Sequence, residues 1–184
     1  MAGLLAHFNL RHPVKRKPNE SRVLTFGLIW FVVFLSWVSP GCPEEPGTQE
    51  TAKKWEEIAS LRYQAAIGHE SRAEQKEALG SENLGEALKG AGDEKVSASG
   101  GYKTASEHWK KAAEEYGAIG DLDNEKKAQY NSDLAWDAAK RTRREAAEFH
   151  MRAAKVFEDA NNLGEKIEAL KKVASDLEAL MKME

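Results

Sequence analysis

The chain has 184 residues, enough for one domain with a modest core, and carries 27 basic against 30 acidic side chains. The charge is uneven: residues 1–22 hold Arg11, Lys15, Arg16, Lys17 and Arg22 against Glu20 alone, so everything after them is net acidic. An acidic body excludes nonspecific nucleic-acid binding, which needs surplus positive charge to displace phosphate counterions, and a single cysteine excludes an internal disulfide.

The first element in chain order is the apolar run "VLTFGLIWFVVFLSWVS", residues 23–39, which contains no charged side chain. As a helix it would be about 25 Å long at 1.5 Å per residue, against a hydrocarbon core of roughly 30 Å. It is slightly short for a span and slightly long for the apolar region of a secretion signal. Basic residues before it, with Glu44 and Glu45 after it, orient the rest of the chain away from the cytoplasm. Residues 1–41 are thus expected to form a basic leader plus a hydrophobic signal or anchor. The small residues Ser39-Pro40-Gly41 then lead into Cys42. This stretch resembles the lipobox of bacterial lipoproteins, in which the cysteine is lipidated and becomes the new N-terminus. The resemblance implies lipidation of Cys42, although Ser39 stands where that family has a branched aliphatic residue. A lipidated Cys42, a retained anchor and unlipidated secretion all stay open, and all place the body outside the cytosol. Residues 42–48, with Pro43, Pro46 and Gly47, read as a tether.

From Gln49 to Glu184 there is no proline, and Ala, Glu, Lys and Leu dominate, which is the composition of packed helices. Three apolar stripes recur at three- and four-residue intervals. They are Tyr102, Ala105, Trp109, Ala112, Tyr116 and Ile119; Ala146, Phe149, Ala153, Val156 and Ala160; and Leu163, Ile167, Leu170, Ala174, Leu177 and Met181. Gly120-Asp121 and Asn161-Asn162 break the pattern, and Thr104…Glu107, Thr142…Glu145 and Asn162…Glu165 have the spacing of a capping box. About six antiparallel helices are expected, near 49–67, 70–89, 102–119, 122–140, 143–160 and 163–183. The glycine-rich stretch 90–101 is expected to be a flexible joint.

Repetition is the strongest signal in residues 49–184. Ala112-Ala113 overlays Ala153-Ala154 at a shift of 41, which also matches Tyr116 with Phe157, Leu122 with Leu163 and Ala128 with Ala169. An earlier echo, "AIGHES" from Ala66, is similar to "AIGDLD" from Ala118. The pattern resembles the tetratricopeptide-repeat superfamily, and "HWKKAAEEYGAIGDLDNEKKAQY", residues 108–130, is most similar to its longer-helix variety in soluble NSF-attachment-type proteins. The period differs from the usual one of about 34, and the proline that closes each repeat is missing. The resemblance implies an all-α array of helical hairpins that presents a surface to a protein; the other reading is a plain helical bundle.

The search for chemistry is short. His7, His12, His69, His108 and His150 show no paired ligand spacing, so no metal is expected. There is no glycine-rich phosphate loop ending in Lys-Ser or Lys-Thr, no Gly-x-Ser-x-Gly elbow and no partner for Cys42, so neither an enzyme nor a cofactor is expected. Two features suit docking: the basic cluster Lys140, Arg141, Arg143 and Arg144, and Trp136, which stands beside the Ala128–Ala135–Ala139 line. Against them, the arginines can be a solvated turn neutralised by Asp137, Glu145 and Glu148, and the tryptophan can be core. The expected function is a noncatalytic, membrane-tethered scaffold that binds a partner protein at the cell envelope, with Trp136, Arg141, Arg143 and Arg144 as contacts. The alternative is a helical envelope spacer that self-associates through its stripes as a homo-oligomer.

Overall fold

Polar side chains start every helix. In a computed structural model that describes residues 47–80 and 83–184, the helices are α1 (Gln49–Ala78), α2 (Leu84–Ala118), α3 (Leu122–Asp159) and α4 (Leu163–Met181). Thr48, Asn83, Asp121 and Asn162 stand immediately before them, and each side chain accepts from the N–H three residues on. This satisfies one of the amides that a helix start leaves unpaired. The two tight turns share one construction. Gly120 (φ 77°) and Asn161 (φ 60°) take the left-handed conformation. The following N–H groups of Asp121 and Asn162 donate back to Tyr116 O at 3.0 Å and Phe157 O at 2.8 Å. That is a Schellman closure, and its last residue at once caps the next helix.

The described residues are all helical, with four helices where six were expected. Thr104 and Thr142 are not caps; each lies inside a helix and donates its hydroxyl to a carbonyl four residues back, Gly100 O and Ala138 O, both at 2.9 Å. Residues 90–101 are not a joint but the middle of α2. The reason lies across the helix. A Cβ on Gly92 would stand 2.5 Å from the His150 ring, and one on Gly101 would stand 3.0 Å from the Ala66 methyl. These glycines give up helix propensity, about 1 kcal/mol each, so that neighbouring helices can come close.

Alanine sets the helix spacing. Ala52, Ala59, Ala66 and Ala73 on α1, and Ala91, Ala98, Ala105 and Ala112 on α2, recur every seven residues and are all fully buried. A seven-residue seam keeps two helices in contact along their length. Ala52 clusters with Ala112, and Ala66 with Ala98, so α1 and α2 run antiparallel. The α2–α3 contact is antiparallel as well, since Ser99 Oγ donates to Ala139 O at 2.8 Å and Lys95 pairs with Glu145 at 2.6 Å. Aromatic side chains fill the space the alanines leave, with Tyr63 4.8 Å from Tyr102 and 5.4 Å from Trp109 between ring centroids.

Each helix packs on its successor, and no non-consecutive pair packs extensively. Ion pairs reach across instead. Glu70–Arg141 and Glu77–Arg152 join α1 to α3, and Lys89–Glu165 and Asp93–Lys172 join α2 to α4. The result is an open zigzag of helices rather than a closed ring of four. No helix among the described residues is long and apolar enough to cross a membrane. The leader, Cys42 and most of the tether lie outside the described residues.

Candidate functional site

The four residues expected to form a docking patch are not gathered on one open surface. Trp136 is half-buried and packs on Ala66, Ala98, Tyr102, Ala139 and Met183. Arg143 turns inward, its Nη1 donating to Asp176 Oδ1 at 3.0 Å. Arg141 is exposed but spans to Glu70 Oε1 at 2.8 Å, with Glu145 Oε1 at 3.7 Å beside it. Of the four, Arg144 alone is exposed with no ion pair among the described residues. Arg143 stands seven residues before the buried His150 and fourteen before the buried Phe157, which puts it on their side of α3.

Arg143 belongs to a charged brace that the sequence did not reveal. His150 is 1% exposed and sits between two carboxylates, with Nδ1 2.7 Å from Asp176 Oδ2 and Nε2 3.3 Å from Asp93 Oδ1. Lys172 Nζ reaches both oxygens of Asp93 at 2.6 and 2.7 Å. Buried charge is tolerated only when paired and hydrogen-bonded, and here Asp176, itself 3% exposed, is held by Arg143 and His150 together. The group links α2, α3 and α4 at one level. Both ring nitrogens of His150 lie within hydrogen-bond distance of these carboxylates, and the group acts as a cross-brace. Among the described residues no group of three His, Cys, Asp or Glu side chains is arranged to hold a metal ion.

A second cluster fastens α1 to α2. Burial alone would raise the Glu94 carboxyl, but Lys76 at 2.7 Å, His69 at 2.8 Å and Arg72 at 3.2 Å outweigh that and hold it down at about 2. His108 is pushed below its ordinary value by burial and by the nearby Lys111 and Arg62, and its ring stacks on Trp55 with centroids 5.4 Å apart.

An uncovered apolar surface lies on α4. The stripe Leu163, Ile167, Leu170, Ala174, Leu177 and Met181 faces outward, with Leu163 64% and Met181 68% exposed. The neighbouring side of the helix, through Ala169, Val173, Asp176 and Leu180, is the one that is buried. Beside the stripe, Met151, Ala154 and Leu170 floor a shallow groove between α3 and α4, rimmed by Arg152, Lys155, Glu158 and Lys166. Isolated exposed apolar residues are ordinary on a protein surface, whereas a contiguous row of them marks an interaction site. Comparison with protein-family models, with curated proteins and with solved structures found no match.

Proposed function

We propose that this chain is a noncatalytic scaffold, tethered to a membrane through Cys42 or the apolar segment before it, whose helical body docks a partner helix outside the cytosol. The body is read as a short array of tetratricopeptide-like hairpins. Its support is the equivalence of residues 41 apart: Ala112 and Ala153 are fully buried, Tyr116 and Phe157 are 2% and 5% exposed, and Leu122 and Leu163 are 61% and 64% exposed. Units of that kind expose apolar surface wherever the row ends.

The observation that carries the docking reading is the uncovered apolar stripe of α4, the last helix of the row. Docking therefore centres on Leu170 and Leu177, and the earlier contacts Trp136, Arg141 and Arg143 serve to hold the fold. A photoreactive amino acid at position 177, in the chain expressed in a bacterial envelope, is expected to give one discrete cross-linked product. The same probe at exposed Leu61 on α1 is the control, and equal labelling from both positions would defeat the reading. Tethering is read separately, from the intact mass of membrane-extracted protein. Residues 42–184 plus acyl groups are expected, and Cys42→Ser should leave the leader uncut.

A further inference from the structure

We infer that the partner helix is α4 of a second copy of this chain, paired antiparallel about a two-fold axis. The stripe residues 163, 167, 170, 174, 177 and 181 are spaced four, three, four, three and four apart. That is the alternation of a two-stranded coiled-coil seam, not merely of an amphipathic helix lying on a core. The flanks of the seam differ. On one side Val173 and Leu180 are buried within the chain's own fold; on the other, Gly164, Lys171 and Glu178 are exposed.

Charge then chooses among the pairings. In a parallel pair, Lys166 of one copy, itself paired with Glu158 at 2.7 Å, would approach Lys171 of the other, which gains no opposite charge there. In the antiparallel register centred near Lys172, Lys171 would face its own symmetry mate. Moving that register by one seam layer, so that the axis falls between Ser175 and Asp176, sets Lys171 of each copy against Glu178 of the other. It also sets Leu170 against Met181 and Ala174 against Leu177, so the two layers beside the axis each pair a small residue with a large one, while Leu163 and Ile167 lie outside the four paired layers. The two-fold pairing is self-complementary, as a closed dimer requires, and opposite charges at flanking positions set partner and orientation in such seams.

This inference rests on the docking reading above, but its test is independent of where the body resides. The full chain, extracted in a nonionic detergent, is measured by light scattering with the detergent contribution subtracted. Twice the chain mass is expected. Leu177→Lys, at a position 47% exposed in the single chain, should weaken association by about tenfold or more while circular dichroism shows the helices intact. Lys171→Glu and Glu178→Lys should each weaken it, and the double exchange should restore it, which a parallel pair would not do. A monomeric wild-type chain, a dimer indifferent to Leu177→Lys, or a double exchange that fails to restore association would each overturn the inference. A body found on the cytosolic side would instead overturn the proposed location outside the cytosol and leave the ratio of particle mass to chain mass unchanged.

Discussion

Among single residues, the glycines of α2 separate propensity from packing most sharply. Gly92 lies against the buried His150 ring, whereas a Cβ at Gly100 meets nothing within 4 Å. Gly92→Ala is therefore expected to destabilise the fold by about 1–3 kcal/mol through overpacking. Gly100→Ala should stabilise it by up to about 1 kcal/mol through helix propensity alone. Urea unfolding followed by circular dichroism distinguishes them, and a shift of the same sign for both would refute the close approach of α2 and α3. His150 could be counted in the sequence but not placed. Its sequence separations of 26 from Asp176 and 57 from Asp93 carry no spacing that signals contact. Only the antiparallel pairing of three helices brings the brace together.

At the scale of helices, caps and clasps carry the testable energetics. Asp121 and Asn162 occupy equivalent turns, so Asp121→Ala and Asn162→Ala should each cost about 1 kcal/mol, read from chemical denaturation. A loss confined to one of them would show that the turns are not equivalent. The Glu94 clasp predicts a pH dependence. Its carboxyl titrates lower in the folded chain, about 2, than in an unfolded one, ordinarily 4.5. Its contribution is then full above pH 4.5 and is lost as pH falls toward 2. Glu94→Gln should lower the urea midpoint at pH 7, and the gap from wild type should close as pH drops through that window. A gap independent of pH would mean that the clasp is not electrostatic. The breaks at Gly120-Asp121 and Asn161-Asn162 were legible because turn chemistry is local. The absence of breaks at 90–101 and near Thr142 was not, because what keeps those helices continuous is surface on another helix.

The four described helices form a row with two ends. The inner helices α2 and α3 pack on both sides, while α4 packs extensively only on α3. In such a row stability is a sum of neighbour contacts, and the ends open first. In the Leu177→Lys chain, amides of α4 are expected to exchange faster than those of α2 and α3 by hydrogen-exchange mass spectrometry. Uniform protection across all four helices would indicate a single cooperative core instead. Where the wild-type seam is paired, α4 should gain protection relative to that variant.

The sequence by itself determined helix formation, the two turns, the 41-residue repeat and the apolar periodicity of α4. These depend on neighbours a few residues away or on a period that one helix displays alone. Tertiary structure decided how many helices there are, which arginines point inward, and that the most regular apolar stripe faces out while Ala169, Val173 and Leu180 face in. A helix carrying two apolar sides does not say which is covered. That choice is made by the small side chains of the helix it meets, and by the charges that must be paired when the two close together.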